Sequence, residues 1–166
     1  MGIQLIDAEP AHYDALLQMN ADAVPNVNLI SREQLAQLHR EAVRFRVAEN
    51  ASGLCGFVLA LAEGADYASL NFRWFQHRYA TFVYIDRVVV HASQRGGGVG
   101  HALYADVESQ ARKRAPILAC EVNLRPPNPR SMAFHERFGF REVGQQDTEE
   151  GAKRVRLMAK ELDSRA

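Results

Sequence analysis

Cysteine, net charge and long apolar runs are all scarce in this sequence of 166 residues, and each scarcity excludes a class of protein. The only two cysteines, Cys55 and Cys120, each sit inside a strand-like apolar run, where a thiol serves as a small hydrophobe. Neither has a CxxC partner, so nothing supports a disulfide framework, a zinc site or thiol redox chemistry. Net charge is absent too: 20 Lys plus Arg balance 20 Asp plus Glu, which removes the electrostatic argument for nucleic acid or an acidic membrane surface as a partner. The longest apolar stretches, around 57–62 and 88–90, are far too short to span a bilayer, and residues 1–10 lack a basic region followed by an apolar one. A cytoplasmic protein that binds neither nucleic acid nor membrane is expected.

What is present is the composition of an ordinary folded domain, 47% hydrophobic and 24% charged. The length suits one compact core, and no internal repeat, low-complexity tract or linker marks a boundary, so residues 1–166 are expected to form a single domain. Residues 3–7 alternate like a strand, and Pro10 opens a helical segment with Tyr13, Leu16, Leu17 and Met19. Ser31 followed by Gln34 is a capping-box pattern for a second helix that carries Leu35 and Leu38 and ends near Glu41. Val43, Phe45 and Val47, the turn residues 50–53 and the apolar run 54–61 predict a hairpin. Residues 63–79 have no clean period yet carry five aromatics, an unusual load for a connection of that length.

Residues 81–90 have the densest β-branched and aromatic content and predict a central strand. Glycines follow at once, then Val99, Leu103 and Val107 at helical spacing to about Lys113, and Pro116 starts a strand over 117–124. After Pro126, Pro127 and Pro129 a short helix carries Met132, His135 and Phe138 on one face and closes at Gly139. Two last strands are expected near 140–145 and 154–160, with Glu149-Glu150-Gly151 between them.

The segment Arg95-Gly96-Gly97-Gly98-Val99-Gly100 joins a strand to a helix. Such a loop presents backbone N–H groups at the positive helix end, where glycines let a phosphate approach, although a purely structural turn also needs glycine. The Walker pattern fails because no Lys-Ser or Lys-Thr follows, and the GxGxxG spacing fails at His101. The acyl-CoA pattern Q/R-x-x-G-x-G/A does fit, with Arg95, Gly98 and Gly100 in place and Val88-Val89-Val90-His91 before them. Asn128, Ser131, His135, Gly139 and Phe140 follow at the distances of a second motif.

On these residues the chain resembles the GNAT superfamily of acetyl-CoA-dependent N-acetyltransferases over about residues 3–162. The resemblance implies an α/β (α+β) fold, a central mixed but mostly antiparallel twisted sheet flanked by about four helices. It further implies that the backbone of Val88 and Val90 pairs with the pantetheine arm. An N–H near Val88 or Val89 would serve the developing oxyanion, residues 96–101 including Val99 and His101 would hold the pyrophosphate, and Asn128 would touch the thiol-side arm. Each has a plainer reading, the valines as core and Asn128 as an N-cap before Pro129.

Transfer to an amine needs a neutral nucleophile, so a base is useful. Glu121, within Ala119-Cys120-Glu121-Val122, is the first candidate, and the resemblance favours it. Asp86 is the rival, because the resemblance also allows a base on that earlier strand, where alternation puts 84, 86, 88 and 90 on one face. Either acid could instead pair with Arg87 or Arg125. His135 stands where the family usually has a Tyr that protonates the leaving thiolate, and it could equally be a packed residue of its helix face. No His, Cys, Asp and Glu group has zinc spacing, and direct transfer needs no metal.

Tyr67, Asn71, Arg73 and Trp74 form the candidate acceptor patch, suited to a small polar amine with a carboxylate such as an amino acid, or to a polyamine-like metabolite. The competing readings are a non-catalytic acyl-CoA sensor, a protein N-terminal or lysine acetyltransferase and, more distantly, a nucleotide-binding regulatory domain. The resemblance also implies a homodimer, with the late strands near 141–160 as the pairing surface.

Overall fold

The structure is a computed structural model and describes residues 2–162; Met1 and residues 163–166, which the expected domain includes, lie outside the described residues. Seven strands are present: β1 Gln4–Asp7, β2 Ala42–Asn50, β3 Gly53–Ala62, β4 Val83–Val90, β5 Ile117–Arg125, β6 Arg141–Thr148 and β7 Lys153–Glu161. The helices are α1 Tyr13–Asp22, α2 Arg32–Glu41, α3 Leu70–Arg78, α4 Val99–Ala111 and α5 Pro129–Phe138. The strands form one sheet in the order β1-β2-β3-β4-β5-β7-β6. The β1/β2, β2/β3, β5/β7 and β6/β7 pairings are antiparallel and β4/β5 is parallel, which is the mixed architecture expected. The described residues group into two compact units, the chain up to Leu61 with Ile85–Ser109, and Ala62–Tyr84 with the chain from Gln110 onward.

In the first unit, α2 starts on the capping box that the sequence predicts: Ser31 Oγ accepts from Gln34 N at 3.1 Å, and Gln34 Oε1 accepts from Ser31 N at 2.9 Å. The helix buries Leu35 and Leu38 and passes directly into β2 at Ala42, whose extended backbone stops it. Val47 of β2 lies opposite Phe57 of β3, and Phe45 opposite Leu59, so alternate side chains join the buried core with Leu16, Leu35 and Leu103. Arg44 of β2 grips Asp106 of α4 with two hydrogen bonds of 2.7 and 2.8 Å, and this partner raises its pKa. The forked guanidinium suits that bidentate geometry.

Gly56 governs how closely α4 and β4 approach β3. A Cβ there would lie 2.7 Å from the Val89 carbonyl oxygen, 3.1 Å from Val99 Cγ1 and 3.4 Å from Leu103 Cδ1. The first is a backbone atom that cannot rotate away.

In the second unit, β4 begins beside β5 with Val83 opposite Leu118 and Tyr84 opposite Ala119. Glu121 of β5 lies opposite Leu157 of β7. The stretch expected to be an irregular connection contains α3. Ser69 Oγ caps it by accepting from Phe72 N at 3.2 Å, and Phe72 and Phe75, three apart, are its fully buried pair. Only two of its nine residues are buried, too few to show a helical period in the sequence. Helix α5 ends as predicted at Gly139, whose φ of 104° is left-handed, and Phe140 N donates to His135 O at 3.0 Å.

Among the described residues no helix is long and apolar enough to cross a membrane, and no group of three or more His, Cys, Asp or Glu could hold a metal ion. Cys55 and Cys120 are free, buried thiols whose pKa values burial raises. Both therefore stay protonated and serve as packing.

Gly56→Ala is expected to destabilise the protein by about 1 to 3 kcal/mol, the usual cost of overpacking, read from the shift in urea midpoint.

Candidate active site

The glycine loop follows β4 through a single 3-10 turn, Ala92–Gln94, where His91 Nδ1 accepts from Ser93 N at 3.2 Å. Arg95 is extended, Gly96 and Gly98 take φ values of 85° and 87°, and α4 begins at Val99. A side chain is strained in that left-handed region, so both positions favour glycine. Arg95, Gly96, Gly97 and Gly98 are exposed, Val99 is buried and anchors the helix start, Gly100 is half-buried and His101 is exposed. At Gly98 a Cβ would meet no atom within 4 Å, so crowding from this chain does not dictate the glycine. The room in front of it is open to a ligand. With amides of the loop and the first helical turn at the positive helix end, the residues present fit a pyrophosphate. On β4 itself Val88 and Val90 are half-buried while Val89 is buried, so alternation separates one valine from the other two.

Asp86 also belongs to the first unit. Its carboxylate Oδ2 accepts from Arg87 Nε at 2.9 Å, and both side chains are buried. Arg87 Nη1 donates further to Asn20 Oδ1 at 2.9 Å and to the Asn28 carbonyl at 3.1 Å. Asn20 Nδ2 donates to that same carbonyl at 3.0 Å. The ion pair that the sequence allowed for either acid thus exists at Asp86, and it ties the connection after α1 to β4.

Glu121, Asn128, His135 and the four acceptor candidates belong to the second unit. Glu121 is half-buried, and its Oε1 accepts from the Tyr84 hydroxyl at 2.6 Å. Asn123, two residues on and therefore on the same face of β5, is buried. Asn128 is the N-cap of α5, its Oδ1 accepting from Ser131 N at 3.3 Å with Pro129 as the first helical residue. His135 is 3% exposed; its Nδ1–H donates to the Ser131 carbonyl at 2.7 Å, and its ring packs edge-on against Phe134 and Phe140. Burial lowers its pKa, so the ring is neutral at physiological pH. Asn71 Oδ1 accepts from Gln146 Nε2 at 2.9 Å, Tyr67 packs on Phe72, and Arg73 is exposed. Trp74 lies against Gly144 of β6, where a Cβ would come within 2.6 Å of the indole, and Arg78 stacks on the ring at 4.8 Å.

Three contributors escape a reading of the sequence: Tyr84, Gly56 and the Asn20–Asn28 pair that receives Arg87. Tyr84 shares a strand face with Asp86 by alternation, the one signal that could have drawn attention to it.

The sequence matches the family model described as acetyltransferase (GNAT) family over residues 14–140. The chain therefore belongs to the acetyltransferase (GNAT) family and is an acetyl-CoA-dependent acyltransferase. Solved structures share the fold. A ribosomal-protein-alanine N-acetyltransferase from Brucella melitensis is 25% identical with a TM-score of 0.71, covering 96% of this chain and 99% of its own. The ribosomal-protein-S18-alanine N-acetyltransferase from Escherichia coli is 16% identical with a TM-score of 0.75, covering 99% and 97%. A protein from Salmonella typhimurium, solved with its cofactor acetyl-CoA, is 17% identical with a TM-score of 0.73, covering 100% and 97%. No curated protein matches the sequence.

Burial lowers the pKa of His39 as well as that of His135. An imidazole whose folded pKa lies below its unfolded value binds more protons when unfolded. Stability is then fully present above the unfolded value of about 6.5 and is lost as pH falls toward the folded values. Lowering pH from 7.5 to 5 is expected to reduce the urea midpoint, with a smaller reduction in His135→Phe.

Proposed function

We propose that the protein transfers the acetyl group of acetyl-CoA directly to a primary amine, with the pyrophosphate held on the loop 95–101 and Glu121 as the base. The observation that carries the reading is the exposed loop with left-handed glycines at Gly96 and Gly98 opening α4. Val88 and Val90 would offer backbone groups to the pantetheine arm, and Val89 helps fix their strand. Asn128 would touch the thiol-side arm from the start of α5, where its Oδ1 is engaged in the N-cap.

Acetyl-CoA supplies an activated thioester carbonyl, to which the amine nitrogen bonds as the C–S bond breaks. Glu121 takes the proton that the nitrogen sheds, a task an ionised carboxylate can perform directly or through one water. Asp86 is the weaker candidate, because its carboxylate is spent on Arg87. For the leaving thiolate, a neutral and buried His135 is a poor acid, and its hydrogen bond to Ser131 favours a packing role. A thiol of pKa near 8.5 can depart and take its proton from water.

A small amine bearing a carboxylate, such as an amino acid, is the first acceptor class, supported by exposed Arg73 on a helix that also carries Asn71 and Trp74. A protein N-terminal alanine is the second, supported by the likeness to the Brucella enzyme. Thiol release from acetyl-CoA with amino acids, a polyamine and peptides beginning in alanine separates the two. Acetyl-CoA binding without release in any arm would favour the sensor. Cytoplasmic residence and pairing of two copies through β6, the last strand in the sheet order, complete the proposal.

Gly98→Asp places a side chain and a negative charge in front of the loop. It is expected to weaken acetyl-CoA binding at least tenfold by calorimetry while the fold persists. Unchanged affinity in the folded variant would remove the pyrophosphate assignment.

Glu121→Gln is expected to lower kcat/KM by about 10²- to 10⁴-fold. Asp86→Asn should instead cost stability, on the order of 3 kcal/mol, by leaving the buried Arg87 charge uncompensated. If Glu121→Gln keeps the wild-type rate and alkaline profile, the amine attacks without a base.

A further inference from the structure

We propose that Tyr84 is the positioning residue of the base: its hydroxyl holds the Glu121 carboxylate in one orientation and keeps it ionised, and α3 holds Tyr84. The inference rests on the assignment of Glu121 as the base.

The Tyr84 hydroxyl donates to Glu121 Oε1 at 2.6 Å, the short separation of a charge-assisted hydrogen bond. The proton stays on the phenol, since a Tyr hydroxyl ionises near pH 10 and a Glu carboxyl near 4.3, a gap of about six pKa units. A donor directed at the charged form of an acid favours that form, and it selects the rotamer whose oxygen it reaches. One Glu121 oxygen is thereby fixed, so the carboxylate keeps a constant attitude while it takes a proton from the amine.

The phenol in turn cannot swing away. Tyr84 is fully buried, with the Phe72 ring edge-on to it at 5.4 Å and the Phe75 ring tilted at 5.8 Å. Both phenylalanines are fully buried on α3, whose first turn is held by the Ser69 cap. Close-packed rings of this kind leave little room for a rotamer change. The buried face of α3 thus orients the base, while its exposed face carries Arg73.

Two of the groups beside Glu121 carry no charge that could take this role. Leu157, opposite it on β7, is apolar. Cys120, next to it on β5, has its thiol pKa pushed well up, first by burial and then by the Glu121 charge, so the thiol stays neutral.

The test combines a titration that needs no acceptor with kinetics that do. The Glu121 carboxyl is followed by carbon-13 NMR against pH in wild type and in Tyr84→Phe, which keeps the ring and loses only the hydroxyl. Its apparent pKa is expected to rise in the variant. In steady-state assays with acetyl-CoA and the fastest amine of the panel above, Tyr84→Phe should lower kcat about tenfold or more. The KM for acetyl-CoA should not change, and the acidic limb of the rate profile should move upward in pH. In a Glu121→Gln background the same substitution should cost no further rate, because the two act as one unit. Phe72→Leu, which loosens the ring without touching the hydroxyl, should shift the titration in the same direction by less, and it serves if Tyr84→Phe does not fold. An unchanged Glu121 titration in a folded variant overturns the proposal, as does a full additional loss in the Glu121→Gln background. If Glu121→Gln alone keeps the wild-type rate, the base assignment fails, and the titration still decides whether Tyr84 holds the carboxylate.

Discussion

The first unit depends on a missing side chain. At Gly56 the Val89 carbonyl of β4 and the side chains of Val99 and Leu103 of α4 all enter the space that a Cβ would fill. Because α4 starts at Val99, immediately after the glycine loop, the depth to which Val99 and Leu103 sink against β3 fixes where that loop stands. The Arg44–Asp106 pair then ties the next turn of α4 to β2 with two hydrogen bonds. Interiors are packed nearly as densely as organic crystals, so a displacement at Gly56 would be passed on to the loop.

Two carboxylates on strands meet opposite environments. Asp86 is neutralised by a buried guanidinium that also reaches Asn20 and the Asn28 carbonyl, so its charge is consumed in fastening a connection. Glu121 is half-buried and meets a neutral phenol, which stabilises the anion without cancelling its charge. A carboxylate paired with a buried guanidinium is a structural fixture, whereas one that accepts from a neutral phenol keeps its negative charge. The same contrast separates Arg87 from Arg73, one buried in a network and the other exposed on a helix.

Much of the fold was legible because its signals are local. The Ser31 capping box, the glycines before α4, Pro116 ahead of β5 and Gly139 after α5 act within a few residues, and the structure has elements beginning or ending at each. Helix α3 escaped because its amphipathic signal is only Phe72 and Phe75 and its cap lacks a reciprocal Glu or Gln. The glycine loop could be found from spacing, while the partners of its strand could not. Tyr84 meets Glu121 across 37 positions and Arg87 meets Asn20 across 67, separations at which pattern carries no information. For His135 the helical face was readable, but burial and the bond to the Ser131 carbonyl, which decide its charge, arise only from packing.

The two compact units are interleaved along the chain: the first closes with Ile85–Ser109 only after Ala62–Tyr84 of the second has been laid down, and β4 contributes to both. No single cut in the polypeptide therefore releases either unit whole. A ribosome working from the amino end completes the first unit only once Ser109 has emerged, by which time the second has begun and still awaits β5, α5, β6 and β7. Genetic division of this enzyme into an amino-terminal and a carboxy-terminal half would leave each product with an unfinished core, so its two halves can evolve by substitution but not by exchange.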